Sequence, residues 1–261
     1  MRYLTAVAIA DLCSLYSWNL NLFYKHLIDP YQNDLEDHSM VSCRFISFVG
    51  FVSLQLSSWY LTLVSIDRCM NIHFLFWHRG FGRADRSTYI IIPTTIIILT
   101  LNFHLLFLNG YYKSDCIPIG KRTCFVCYRR LEDSHYIFPK WEAVHVIVYN
   151  LIPLSIMLIS TYFILRRSVH VNTIHRNMSV DSRQNSVKPS IRQRKQRQLT
   201  RTLLSVVFLF VILTTPVMLY NVFLRNQLKD KKPQKYIFHG ILLCVQFTSP
   251  AVRIFSPFIS K

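Results

Sequence analysis

Glycine is scarce in this sequence. Six glycines in 261 residues are few for the glycine-rich turns on which dinucleotide-binding and P-loop enzymes depend. Charge is scarce as well, at 16% Asp, Glu, Lys and Arg, and acids are the scarcest, 13 against 30 basic residues. The formal charge of +17 invites a nucleic-acid partner. Yet no aromatic-interleaved basic platform and no zinc-ligand framework accompany it, so nucleic acid is excluded. Cys124-Phe125-Val126-Cys127 has zinc-like spacing but lacks a second pair. His104 and His145 show no metal-box spacing, and no internal repeat of the inverted-repeat transporter kind is visible. No signal peptide is expected, because Met1-Arg2 leads straight into an apolar block without a small-residue cleavage pattern.

What is present is apolar and blocky. The chain is 51% hydrophobic and 14% aromatic, with mean hydropathy +0.26. Its apolar residues gather into six blocks at about 3–28, 41–70, 88–108, 143–165, 199–224 and 236–259. Each is long enough to span a bilayer with some tilt. The spacing predicts an all-α, multi-spanning transmembrane helix bundle forming one domain over 1–261. Between the fourth and fifth blocks lies a serine-rich basic segment, 166–198, read as a cytosolic loop.

The second block is the most informative. Cys43 opens it and Asp67-Arg68-Cys69 closes it. Those 24 residues make roughly 36 Å of helix at about 1.5 Å per residue, slightly more than the roughly 30 Å hydrocarbon layer. One helix thus carries a cysteine at one membrane face and an Asp-Arg pair at the other. Lys and Arg number 14 in the loops on the Arg68 side and 13 on the Cys43 side, so positive-inside counting is nearly silent. The long basic loop and the cysteine-rich opposite loop place Arg68 toward the cytosol.

Read together, these residues resemble the rhodopsin-like, class A family of G protein-coupled receptors, from its second helix to its seventh. Tyr3–Leu12, with Asp11, resembles the second-helix motif, and Cys43 and Asp67-Arg68-Cys69 resemble the ends of the third helix. Pro153 matches the fifth-helix proline, and Phe210 and Pro216 match the sixth-helix pair. The resemblance implies a plasma-membrane receptor without catalytic residues. It further implies G protein coupling and activation through Asp67, Arg68, Cys69, Pro153, Phe210 and Pro216. Asp11 and Ser57 are its sodium-site candidates, and no other cofactor is implied. Cys43 is expected to pair with Cys124, Cys116 or Cys127. Ligand-pocket candidates are Gly50, Phe51, Leu54 and Gln55 by helical spacing, with His145, Tyr149, Tyr220 and Asn221 from later helices. Gly50 stands where amine receptors carry an aspartate, which disfavours a biogenic amine. An acidic 29–37 loop and the basic stretch 229–235 suit a peptide with separated charges, and hence a neuropeptide-receptor type.

The chain also departs from the family. Thr214 replaces the sixth-helix tryptophan, Cys69 replaces a tyrosine, and the third block carries no tryptophan. Thr161 stands where the fifth helix has a tyrosine, although Tyr162 is adjacent. The seventh-helix Asn-Pro motif has no clear match among Ser249-Pro250, Arg253-Ile254 and Ser256-Pro257. A first helix is missing, which favours a fragment or shortened product. The leading expectation is a ligand receptor that drives a heterotrimeric G protein. The alternative is a truncated, non-signalling receptor that pairs with full-length partners. A membrane transporter or enzyme using Asp11, His104, His145 and Arg253 ranks below both.

Overall fold

The computed structural model describes residues 2–24, 35–74, 87–112, 125–127 and 136–181, together with 205, 207–210 and 212. The chain opens with α1 (Arg2–Ser14), which runs through a π-helical turn (Leu15–Asn19) into α2 (Leu20–Phe23). A 3-10 turn at Leu35–His38 precedes α3 (Met40–His73). Then come α4 (Thr88–Asn102), α5 (Leu105–Leu108) and the strands β1 (Tyr111–Tyr112) and β2 (Phe125–Val126). A π-helical turn at Tyr136–Trp141, α6 (Glu142–Val146), a second π-helical turn at Ile147–Leu151 and α7 (Ile152–Asp181) form one continuous helical rod. Among the described residues, three segments are long and apolar enough to cross a membrane: Met40–His73, Thr88–Leu108 and Glu142–Arg167.

The central rod is α3. Ser39 starts it in an extended conformation, its hydroxyl accepting the Ser42 N–H at 3.0 Å, which satisfies one of the open donors of the first turn. α1, α4 and α7 all pack against α3. The packed face of α3 is rich in small residues, including Ser47, Gly50, Ser53, Ser57, Ser58 and Ser65. Small side chains let helix backbones approach closely, which is how helices associate where lipid removes the usual hydrophobic drive. Around them Val7, Leu54, Leu61, Tyr149, Met157 and Phe210 form the main apolar cluster.

The polarity of the bundle is inverted relative to a water-soluble protein. Asp11, Gln55, Thr62, Asn102 and Asn150 are buried. Ile92, Ile96, Ile97, Phe103 and Phe107 on the α4–α5 segment are exposed, as are Leu158, Ile159 and Phe163 on α7. That arrangement suits lipid outside and hydrogen-bonded polar groups inside.

Pro153 explains how α3 and the rod of α6 and α7 are locked together. Proline has no N–H, so the carbonyl four residues earlier loses its helical donor. That carbonyl belongs to Tyr149, and it accepts the Ser58 hydroxyl at 2.7 Å. The adjacent π-helical turn loosens the ladder further, and the Val148 carbonyl accepts Trp59 Nε1–H at 3.1 Å. Two α3 donors thereby satisfy backbone that the proline and the π turn release.

One expectation needs correction. The segment from 166 was expected to leave the helix at once, but α7 continues to Asp181. The apolar period ends near Leu165, yet no glycine or proline interrupts the chain between Pro153 and Pro189, so nothing stops the helix where its lipid-facing pattern stops. Within this all-α bundle one short antiparallel pair forms, Tyr111 opposite Val126 and Tyr112 opposite Phe125. Gly110 enters this pair at φ 81, a left-handed conformation that a β-carbon disfavours by about 1–2 kcal/mol. Gly110→Ala is therefore expected to lower stability by about that amount, read as an earlier thermal midpoint of the purified protein. An unchanged midpoint would contradict the turn.

Candidate functional site

The polar and cysteine groups fall into three levels along α3. At its start, Cys43 is fully buried and bonded to Cys127 across 84 residues of sequence. Of the three pairings left open by sequence, the structure forms this one, while Cys116 and Cys124 lie outside the described residues. Asn109, the residue that ends α5, holds the junction. Its amide donates to Ser47 Oγ at 3.0 Å and lies 3.4 Å from Cys43 Sγ, while its carbonyl accepts Arg44 Nε–H at 2.9 Å. Glu36 is buried beside the bridge, its carboxylate 3.8 Å from Cys127 Sγ. It is therefore not part of an exposed acidic loop, which removes one of the charges that suggested a peptide-binding surface.

At mid-height, Gln55 connects three helices. Asn102 of α4 donates from Nδ2 to Gln55 Oε1 at 2.6 Å, and Gln55 Nε2 meets His145 Nδ1 of α6 at 3.0 Å. His145 lies nearly parallel to the Tyr149 ring, centroids 5.0 Å apart at 15°, and meets Phe51 edge-on at 4.8 Å. Tyr149 in turn meets Phe210 edge-on at 6.2 Å. Five expected residues, Phe51, Gln55, His145, Tyr149 and Phe210, are thus brought into one contiguous contact chain. Gly50 and Leu54 are buried on the same helix, and Tyr220, Asn221 and Pro216 lie outside the described residues.

Below this level α1 meets α3. Ser57 Oγ donates to Asp11 Oδ1 at 2.5 Å, and both residues are buried. A buried carboxylate in a bundle core costs about 2.5–3.5 kcal/mol at a helix centre even on the mildest scale, so a partner of this kind is required. Asp11 and Ser57 are both hard oxygen donors, the type that a small cation prefers. The pair fits part of such a shell.

At the far end of α3, Asn71 reaches back one turn. Its amide donates to the Asp67 carbonyl at 2.7 Å and to the Asp67 carboxylate at 3.1 Å. Arg68 is half-buried beside it. Cys69 Sγ lies 3.9 Å from His73 Nδ1, and the His73 ring meets Phe163 of α7 edge-on at 5.9 Å. Tyr162 is 59% exposed, so it points away from the bundle and does not take the inward place of the tyrosine that Thr161 replaces.

Asn102, Asn109, Ser58, Trp59 and Asn71 were not singled out from the sequence. Asn102 had a signal, an amide inside the otherwise apolar 88–108 block. Ser58, Trp59 and Asn71 are ordinary helix residues and Asn109 follows a helix end, and only the packing reveals their partners.

A family model described as "7 transmembrane receptor (rhodopsin family)" matches residues 1–259. Among individual proteins, a purinoceptor of Rattus norvegicus, purinoceptor 2, is 24% identical over 169 residues, which cover 63% of this chain and 41% of that receptor. The purinoceptor 2 of Mus musculus aligns with the same identity and coverage. The matched stretch therefore spans less than half the length of either relative.

Proposed function

Because the chain belongs to the rhodopsin family of seven-transmembrane receptors, we propose that it passes an extracellular ligand signal to a heterotrimeric G protein. The family is one of receptors in the plasma membrane, not of enzymes, and the chain is a multi-pass protein of that membrane. The observation that carries the reading is the single 34-residue helix α3. It is anchored by Cys43–Cys127 at one end and bears Asp67-Arg68 at the other. A rod fixed outside and able to shift inside is suited to a population shift between two packings of the bundle.

In this reading, ligand binding near Phe51 and His145 repacks the His145–Tyr149–Phe210 contacts, and the helices around Arg68 part. Asn71 holds the Asp67 carboxylate in the resting state. Pro153 gives the rod of α6 and α7 its adjustable segment, because its released carbonyls rely on Ser58 and Trp59 rather than on the helix itself. Asp11 and Ser57 supply two of the oxygens that a sodium ion needs, and such an ion would provide the buried carboxylate with a counter-charge.

The ligand is proposed to be anionic, with purine nucleotides the leading class and a peptide the second. Segments on the Cys43 side carry 13 Lys and Arg against nine Asp and Glu, and one of those acids, Glu36, is buried. Both aligned relatives are named purinoceptors. A biogenic amine finds no carboxylate at Gly50.

The test is ligand-dependent guanine-nucleotide exchange by the full chain in lipid nanodiscs. A panel of purine and pyrimidine nucleotides is compared with a peptide library. Exchange raised by at least one nucleotide supports the reading, while activation by peptides alone would replace the ligand class. Surface delivery without exchange under any ligand would favour the truncated, pairing form instead. Arg68→Ala is expected to cut exchange by tenfold or more while leaving ligand binding within about twofold. Such a split is the signature of a residue used only in the signalling state.

A further inference from the structure

Hydrogen-bond logic inside the bundle determines which nitrogen of His145 carries its proton. Asn102 Nδ2 makes two contacts, 2.9 Å to the Ile98 carbonyl one turn back and 2.6 Å to Gln55 Oε1. A backbone carbonyl only accepts, so the atom facing Ile98 must be the amide nitrogen. Both hydrogens of that nitrogen are then used, and the Gln55 atom facing it must be the oxygen. Gln55 consequently turns its NH₂ toward His145, where it donates to Nδ1 at 3.0 Å. A ring nitrogen that accepts a hydrogen bond holds no proton. His145 is left as a neutral imidazole with its proton on Nε2.

The surroundings hold the ring in place. Phe51 closes one side edge-on and Tyr149 stacks on the ring. His145 is 7% exposed, and its Nε2 is not among the sealed, unpartnered polar atoms. Gln55 lies twelve residues along α3 from Cys43, about 18 Å at about 1.5 Å per residue. In the receptor reading above, that is the depth at which a ligand entering from the disulfide end would stop.

Resting on the receptor reading above, we propose that His145 Nε2–H is a ligand-reading donor at the pocket floor. Its tautomer is set by the Asn102–Gln55 relay, and it recognises an acceptor oxygen of the ligand, such as a phosphoryl or purine carbonyl oxygen. Asn102 and Gln55 are positioning residues that never touch the ligand. A ligand group that can only donate is rejected, because it would face a donor and leave two buried hydrogens opposed.

The test is ¹⁵N NMR of the histidine-labelled full chain in nanodiscs, with the His145 signal assigned by its loss in His145→Gln. The wild type is expected to show Nε2 protonated and Nδ1 bare. Free neutral imidazole side chains lean the same way, so the decisive variant is Gln55→Glu. An ionised carboxylate has no hydrogen to give and accepts from both neighbours. It should therefore reverse the tautomer toward Nδ1–H by about tenfold, the weight of one buried hydrogen bond. Asn102→Leu removes the pin and should leave a mixture. Nδ1 protonated in the wild type, or an unchanged tautomer in a Gln55→Glu protein that retains its helical circular dichroism and whose new carboxyl is ionised by its ¹³C shift, would overturn the relay. Fast deuterium exchange at Nε2–H from the aqueous phase is expected of a pocket floor, and slow exchange would overturn the ligand-facing role. These readouts need no ligand, so they stand or fall separately from the nucleotide assignment. Adenosine 5′-triphosphate, where it activates exchange, should shift the Nε2 signal more than the Nδ1 signal. Activation with Nε2 unmoved would also overturn the role.

Discussion

Replacing Cys43 or Cys127 with serine is expected to remove nearly all correctly folded protein from the cell surface. The bridge joins residues 84 apart in sequence. Cross-linking over that length restricts the unfolded chain by an amount worth about 4–5 kcal/mol in the chain-entropy treatment. Whole domains are stable by only about 5–15 kcal/mol, so one bridge is a large share. The local cost adds to it. Cys43 is fully buried, and Asn109 places its amide 3.4 Å from one sulfur and 4.0 Å from the other. A thiol or hydroxyl there withdraws the bridge from beside the Asn109 amide, leaving only Ser47 and Arg44 to hold the end of α5 on α3. The same experiment separates the three pairings open in the sequence. Cys116→Ser and Cys124→Ser should leave surface delivery intact, and peptide mapping should recover a Cys43–Cys127 cross-link. A Cys43–Cys116 or Cys43–Cys124 cross-link would refute the assignment.

Why the sequence left that choice open is physical. Cys43 sits at a known height on a helix, so its depth follows from the rise per residue. The three candidate partners sit in a polar segment with no periodicity to give a register, and only the β1–β2 pairing selects Cys127. The same contrast runs through the bundle. The Asp11–Ser57 contact could be foreseen because the family resemblance assigns both residues to one inner site. The chain Asn102–Gln55–His145 could not, since it depends on the rotation of three helices at once. Pro153 was legible as a place where a backbone donor is lost. That Ser58 and Trp59 would satisfy the released carbonyls was not, because hydroxyl and indole donors within apolar blocks give no directional signal. The end of α7 was misjudged because apolar periodicity reports where a helix leaves the lipid, not where its hydrogen-bond ladder stops. Apart from the Asp11–Ser57 pair, heights along a helix were legible from spacing, while contacts between helices required packing.

Asp11→Asn is expected to make the protein more stable and, at the same time, insensitive to sodium. The carboxylate is fully buried and held by Ser57 at 2.5 Å. Asparagine keeps the volume, and its side-chain oxygen still accepts the Ser57 hydroxyl, but the charge is gone. The buried-charge cost of about 2.5–3.5 kcal/mol at a helix centre is then relieved in large part, and the thermal midpoint in sodium-free buffer should rise. The wild type should behave oppositely. If an ion shares the Asp11 and Ser57 oxygens, sodium stabilises the folded state by mass action, about 1.4 kcal/mol at ten times its dissociation constant. Choline at the same ionic strength should not, because it is too large for that pair. Ser57→Ala separates the two contributions. It leaves the carboxylate without that donor, which costs about 1–3 kcal/mol, and it removes one oxygen from the ion's shell, so stability and sodium response should fall together. Melting curves of the three proteins in sodium chloride and choline chloride decide the matter. Equal midpoints for the wild type in the two salts would remove the ion from Asp11. A lower midpoint for Asp11→Asn in choline would show that the charge itself supports the packing of α1 on α3.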